Sequence, residues 1–429
     1  MARTIALTWH PTLAEGLPRR DRHGCDYEAY LPDLVAKRAF LLDGDVSADI
    51  TDAESAVHML NAEATTLTGL EGLARLLLRA EAVASSKIEG LQVGGRRLLH
   101  AEVARALGDR QNDVTAEEIL GNIDAMSWAV DTVGSAGVIQ VDHLLEIHRK
   151  LMAGTRLSSV GGVIRDRQNW IGGSDYNPCE AQFVPPPSEE VHRLLDDLCN
   201  FCNEDELPAV AQAAIAHAQF ETIHPFIDGN GRTGRALIHV ILRRRGLIPR
   251  VLPPVSLVLA TWSKDYVSRL MGTRYIGGPD TPGAHQGLNR WIGLFAAATH
   301  RAVDDARSFE QRVAELQASW RLRLGHVRKG SAADLLLNAL PGASVITVKS
   351  ASEIIGRSFK ATNDAVTQLR DAGILRQLHV GHRNRAFEAI ELIETFNDLE
   401  RQLASPAGDT HISPPTRSVP SRRGKTARA

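Results

Sequence analysis

The sequence predicts a mostly helical protein broken once by a short hairpin, with a smaller mixed α+β unit towards its C-terminus. Three observations predict this. Leu70, Leu73, Leu76, Leu77, Ala80, Val83, Ala84 and Ile88 recur at three- and four-residue steps, the spacing of one helix face. Between residues 160 and 187 that spacing stops. Two extended stretches, Val160–Gly173 and Gln182–Val184, flank a turn-rich segment closed by Pro185, Pro186 and Pro187, which reads as a short hairpin with a loose tip. From 333 to 395, three short helical patterns are followed by two strand patterns.

Residues 1 to about 50 hold several breakers and few periodic signals, and Tyr30-Leu31-Pro32 begins a packed entry segment. Gly90 supplies the C-cap of the helix over 70–89. Helical spacing continues through Glu102–Leu107, Ala116–Val130 and Val141–Ala153. It resumes after the hairpin at Glu189–Asn203, at Ala209–Ile223 and beyond Gly231. Arg301–Leu324 reads as a long charged connector. Helices at Ala333–Leu340, Ser350–Ile355 and Thr362–Ala372 precede strands at Ile374–Val380 and Ala386–Ile393, joined by Gly381-His382-Arg383-Asn384; this is the outline of a winged helix. The last residues, rich in Pro, Ser, Gly and basic side chains, read as a disordered tail. The division expected is a helical N-terminal region (1–110), a core (111–305), a connector helix (306–332), a winged helix (333–400) and a basic tail (401–429).

The chain's 429 residues favour more than one domain. A net charge of −2 points to neither nucleic acid nor an anionic membrane as the main partner. No apolar run spans a bilayer and the N-terminus lacks a signal-peptide core, so the expectation is a cytoplasmic protein that needs no membrane. Cys25, Cys179, Cys199 and Cys202 are too few for a disulfide scaffold, and Cys199-x-x-Cys202 has no second ligand pair to complete a zinc site.

The stretch His224-Pro-Phe-Ile-Asp-Gly-Asn-Gly-Arg-Thr-Gly-Arg235 carries the most chemistry. Pro225 ends one helix. Gly229, Asn230 and Gly231 accept left-handed backbone angles and can turn consecutive N–H groups inward as an anion nest. The next helix then starts with its free N–H groups and positive dipole end at the same place. Arg232 and Arg235 are neighbours on its first turn and suit a polyphosphate. Asp228 can hold the Mg²⁺ that accompanies nucleotide phosphates. His224 sits at the rim, where a neutral imidazole can take a proton from an incoming hydroxyl. An EF-hand is excluded because its twelfth position would be His239, and a P-loop because no Gly-Lys-Ser/Thr follows.

His224–Arg235, with its approach His217-Ala-Gln-Phe-Glu-Thr-Ile223, resembles the Fic-family signature H-P-F-x-[D/E]-G-N-G-R-x-x-R at every specified position. The resemblance covers roughly residues 30 to 300. It implies an all-α Fic fold with a β-hairpin flap. It also implies AMP transfer from ATP to a hydroxyl of a target protein that the sequence does not name. By that analogy His224 is the general base and Asp228 the Mg²⁺ ligand. Gly229, Asn230, Gly231 and Arg232 would cradle the α- and β-phosphates, and Arg235 the γ-phosphate.

Ser85-Ser86-Lys87-Ile88-Glu89-Gly90 resembles the family's inhibitory motif [S/T]-x-x-x-E-[G/N] at Ser85, Glu89 and Gly90, in the class whose inhibitory helix precedes the core. The resemblance implies that Glu89 pairs with Arg235 and denies the γ-phosphate its anchor; it also leaves room for the reverse, de-AMPylating reaction. Trp170, Ile171 and Gly172, with Phe183-Val-Pro-Pro186, resemble the flap that registers a target segment. Tyr266-Val267 stands where the family often has a Tyr-Tyr pair, so no adenine contact is carried over. DNA binding through Thr362–Ala372, Arg376, His382, Arg383 and Arg385 is a second reading, that of a nucleotide-sensing regulator. Two aspartates in the recognition helix fit a protein contact instead. Monomer and homo-oligomer both stay open.

Overall fold

The computed structural model describes residues 1–11, 18, 21–63, 70–106, 113–380 and 384–403. It begins with strands β1 (Arg3–Trp9) and β2 (Cys25–Leu31), paired antiparallel from Arg3 opposite Leu31 to Trp9 opposite Cys25. This strand pair lies within the helical region expected over 1–110, in the breaker-rich stretch where the sequence shows few periodic signals. Ile5, Leu7 and Trp9 alternate with Thr4, Ala6 and Thr8, a period-two pattern too short to stand out among the breakers around it.

Helices follow: α1 (Gly44–Glu63), α2 (Leu70–Ile88), α3 (Gly95–Ala106), α4 (Val114–Trp128), α5 (Val141–Met152), α6 (Ser188–Cys202), α7 (Ala209–Ile223), α8 (Asn230–Arg244), α9 (Val255–Thr261), α10 (Ser263–Met271) and α11 (Pro282–Leu324). Every residue of α7 is buried. Its sequence, Ala-Val-Ala-Gln-Ala-Ala-Ile-Ala-His-Ala-Gln-Phe-Glu-Thr-Ile, has no polar face, as expected of a helix surrounded on all sides. α8 packs along it and is buried through Leu242. Trp291 and Phe295 of α11 are fully buried, and the Trp291 indole N–H donates to Ala214 O at 2.8 Å. Burying one such ring contributes about 1.5–3 kcal/mol.

α11 runs unbroken through residue 305, where the sequence predicts the core to give way to a connector. Thr281 caps it, accepting from the Ala284 N–H, and Pro282 occupies its first position. Nothing interrupts the helix before Gly325. The C-terminal unit has α12 (Ala332–Ala339), β3 (Val345–Thr347), α13 (Val348–Ile355), α14 (Phe359–Asp371), β4 (Arg376–Val380), β5 (Asn384–Glu388) and α15 (Ile390–Leu403), with sheet order β3-β5-β4, all antiparallel. The strand expected over Ala386–Ile393 ends at Glu388, and α15 takes the remainder and extends through 401–403, where the tail was expected to begin. Residues 381–383 of the expected wing and 404–429 of the tail lie outside the described residues.

α2 is clamped lengthwise against α8, α9 and α4. Glu81 and His239, both fully buried, meet at 2.9 Å, and Glu81 also accepts from the Ser256 N–H at 2.7 Å. On α4, Asn122 Nδ2 donates to Ala82 O at 2.7 Å and to Ser86 Oγ at 3.0 Å. Going from Glu81 to Ser85 on α2 means going from His239 back to Arg235 on α8, so the two helices run antiparallel.

Candidate active site

Pro225 stops α7, and His224 closes it in the left-handed region at φ 50°, one of two non-glycine residues with positive φ among those described. Gly229, at φ 75°, opens α8. Between them the loop is closed from within. The Asn230 side chain accepts from the Phe226 N–H and donates to Phe226 O, each at 2.8 Å, so this asparagine shapes the loop. Asn230, Gly231 and Arg232 begin the helix, and their N–H groups have no partner inside it.

Side chains then converge on this helix end. Arg232 is 4% exposed; its Nη2 lies 3.5 Å from Asp228 Oδ2, and its Nε and Nη1 have no hydrogen-bond partner. Buried orphan donors are rare and ask for a ligand. Asp228 is half exposed at the mouth of the loop. Among the described residues no group of three or more His, Cys, Asp and Glu could hold a metal. A single carboxylate next to unpaired guanidinium nitrogens suits instead a Mg²⁺ bound mainly by nucleotide phosphates. By that test the donor set fits a magnesium nucleotide.

Arg235 is engaged by α2 and the turn beyond it through two of its three guanidinium nitrogens. Its Nε donates to Ser85 Oγ at 2.9 Å, and its Nη2 donates to Ser85 O at 2.9 Å and to Glu89 Oε1 at 2.7 Å. A Cβ built on Gly231 would lie 1.8 Å from Glu89 Oε1, so the Glu89 carboxylate occupies the space that the glycine leaves open. Burial works to raise the Glu89 carboxyl, but Arg235, by charge and by hydrogen bond, with Arg232 and His224, brings it below the ordinary carboxylate range. Gly90, at φ 83°, turns the chain immediately after.

His224 is buried. Burial, then the cations Arg165 and Arg274, lower its imidazole to about 4 against an opposing contribution from Glu89, so it is neutral at physiological pH. Its Nδ1 has no hydrogen-bond partner; Glu221 Oε2 is 3.9 Å away. Glu221, itself buried, is pushed up to about 7 by burial, with Arg235 opposing and Glu89 adding. Tyr266, on the helix expected to flank adenine, is buried and takes part in a hydrogen bond with His217 at 2.8 Å, while its neighbour Val267 is exposed.

The flap is a single antiparallel bridge between Ile171 and Phe183. Gly172 turns at φ 76°, and Trp170 Nε1 donates to Ser174 O at 2.6 Å. The flap is also spliced into the N-terminal hairpin, where the Tyr30 N–H donates to Val184 O at 2.9 Å. The tip expected to be loose is tied down: Cys25 and Cys179 form a disulfide, and Asn177 Nδ2 donates to Asp21 Oδ1 at 2.9 Å. The free thiols of Cys199 and Cys202 are buried within α6, as the sequence implies.

His224, Asp228, Gly229, Asn230, Gly231, Arg232, Arg235, Ser85 and Glu89 are thus brought together, with Asn169 joining the flap to the loop through Phe226 O at 3.0 Å. Sequence reasoning missed Arg165, which binds the His224 carbonyl, and His148, which stacks on Phe226 and donates to Asp228 O at 3.0 Å. It also missed Arg274, whose guanidinium lies 3.3 Å from the Phe183 ring centre. Arg165 stands at the start of the polar stretch Arg165-Asp-Arg-Gln-Asn169, so nothing beside it along the chain signals burial.

With this geometry in hand, residues 138–242 match the Fic/DOC family and residues 47–131 match the Fic/DOC family N-terminal region. The chain is 30% identical over 260 residues to the protein adenylyltransferase Fic of Drosophila willistoni, covering 58% of this chain and 45% of that protein. It is 35% identical over 118 residues to the protein adenylyltransferase fic-1 of Caenorhabditis elegans, covering 27% and 21%. It spans less than half the length of these curated relatives. The crystal structure of a Fic family protein from Desulfovibrio desulfuricans G20 superposes with a TM-score of 0.50 at 19% identity, over 82% of this chain and 97% of that one, a likeness of fold.

Proposed function

We propose, for a chain that carries a Fic/DOC domain behind its Fic/DOC N-terminal region, that it is a protein adenylyltransferase held in check by Glu89. The observation that carries this reading is the meeting, at the N-terminus of α8, of a neutral His224 imidazole, unpartnered Arg232 nitrogens and the Arg235 guanidinium. The imidazole takes the proton of a Ser, Thr or Tyr hydroxyl on the target. The hydroxyl oxygen bonds to the α-phosphorus, the bond to the β-phosphate bridge breaks, and pyrophosphate leaves. The N–H groups of Asn230, Gly231 and Arg232 and the Arg232 side chain hold phosphate oxygens, and Arg235, once free, holds the last phosphate. Asp228 would hold Mg²⁺, which neutralises phosphate charge when bound. The remaining work is positioning.

In the form described here Glu89 takes one nitrogen of the Arg235 guanidinium and the space beside Gly231, which supports a resting state. The flap residues Trp170, Ile171 and Gly172 would register the target by main-chain pairing. A cytoplasmic location belongs to this reading; the Cys25–Cys179 bridge, a bond type rare in that compartment, weighs against it. No helix among the described residues is long and apolar enough to cross a membrane.

The C-terminal helices and three-stranded sheet support the winged-helix reading of 333–400. Its DNA-binding version has less to stand on. Arg370 is paired with Asp371 and Arg376 with Glu388, and His382 and Arg383 lie outside the described residues. A protein-contact role fits these paired charges better.

The test uses ATP labelled at either the α- or the γ-phosphate, incubated with purified Glu89→Gly protein. Label from the α-phosphate alone is expected on protein. Preferential γ-label would mean a kinase orientation, and no label from either would leave the nucleotide-sensing regulator as the better account.

A further inference from the structure

Arg165 is 2% exposed, and it lies between the flap and the end of α7. Its Nε donates to His224 O at 2.9 Å, and its Nη2 donates to Pro186 O at 2.5 Å and to Ile223 O at 3.3 Å. Its Nη1 donates to Arg167 O at 3.2 Å, and its own N–H to Pro225 O at 3.0 Å. Those acceptors come from three separate stretches of chain. Ile223 and His224 are among the last carbonyls of α7, which have no partner in their helix and carry its negative dipole end. Only a planar fork with several fixed donors spans them together. Among the described residues no carboxylate lies within ion-pair distance of this guanidinium; carbonyl oxygens take its hydrogen bonds, and Glu189 acts on its charge only from farther away.

Resting on the adenylyltransferase reading, we propose that Arg165 is the positioning residue of the transfer reaction: it clamps the end of α7 in the left-handed turn that carries His224, with a positive charge that has no direct ion-pair partner among the described residues. The clamp answers a local cost. A non-glycine residue in that turn is disfavoured by about 1–2 kcal/mol, and His224 is held there by Arg165 and Asn169 acting on its carbonyl. The charged groups facing the imidazole are Glu221 on its own helix, Glu89 beyond the end of α2, Arg274 after α10 and Arg165 before the flap. Two cations and two acids therefore compete over its proton. Arg165 is the larger of the two cationic influences, and like burial it lowers the imidazole's proton affinity.

The test measures His224 directly, by NMR titration of the imidazole in Glu89→Gly protein, with the signal assigned by its loss in Glu89→Gly/His224→Ala. Label transfer against pH and thermal midpoints are followed in parallel. Arg165→Gln, which removes the charge, is expected to raise the titration midpoint by about one pH unit, a tenfold gain in proton affinity. The acid limb of the rate profile should move up with it. Arg165→Lys, which keeps the charge and loses the fork, is expected to leave the midpoint in place while lowering kcat. An unmoved midpoint in folded Arg165→Gln overturns the proposal, as does a His224 midpoint at or above the ordinary value in Glu89→Gly itself, a measurement that needs no Arg165 variant. A midpoint that moves in protein transferring no label supports Arg165 and sinks the transferase reading, so the two failures are distinct.

Discussion

Glu89→Gly is expected to raise self-modification with AMP by about 5- to 150-fold, the range of an ordinary coupling between two sites. The reasoning follows from Arg235. Its guanidinium is 1% exposed and bound to Ser85 and Glu89, which on the proposed reading keeps it from a terminal phosphate. Charge-assisted pairs of this kind are the strong ones, and here the carboxylate also fills the volume beside Gly231. Glycine removes both obstacles. Residue 89 lies in the turn beyond α2, so no helix interior is weakened. Arg235→Ala in the same protein is expected to cancel the gain, because the freed anchor is then absent. Self-modification by wild type, both single variants and the double variant decides the matter, with folding followed by circular dichroism. Equal rates for wild type and Glu89→Gly would leave Glu89 as a helix-end residue with a structural pairing only.

His224→Ala in the Glu89→Gly protein is expected to lower AMP transfer by ~10²–10⁴, the usual worth of a general base, while calorimetry still detects ATP. The imidazole is unpaired at Nδ1 and neutral near pH 7 because burial and two cations lower it to about 4. Its folded value is depressed, so base capacity is present above pH 4 and fades as the pH falls through that value. Alanine is strained at φ 50°; asparagine tolerates the left-handed region better, so His224→Asn separates loss of the base from loss of the turn. Wild-type rates in folded His224→Asn would end the base assignment.

The candidate site was legible because its residues are contiguous. From His224 to Arg235, the side chains assigned to phosphate, metal and proton lie within one helix end and the next helix start, where spacing goes far to dictate geometry. Glu89 was legible by resemblance only; its own local rule, an acid at a helix end, is as well satisfied by water. Arg165 and His148 act across 59 and 80 residues, and no periodicity encodes such meetings. The same holds for the Cys25–Cys179 bridge, with its separation of 154. Long helices were read well in their interiors and poorly at their ends. The start of α11 was missed because Gly283, Gly287 and Gly293 weaken the helical signal that Thr281 and Pro282 announce. The run Ala386–Ile393 is apolar enough to be strand or helix, and only packing against β3 and α11 assigns its halves.

Because α2 is pinned at Glu81 and, through Ala82 and Ser86, to Asn122 of α4, the Glu89 carboxylate would on the proposed reading act as a ligand of fixed local concentration. Two parts of one chain meet at an effective concentration set by the tether, typically millimolar even for a flexible one, and a rigid helix gives no slack. Such a competitor cannot be diluted away. The ratio of Glu89→Gly to wild-type activity should therefore hold constant as the protein is diluted a hundredfold and should narrow as ATP is raised. A ratio that falls on dilution would mean that the carboxylate reaching Arg235 in solution belongs to another molecule.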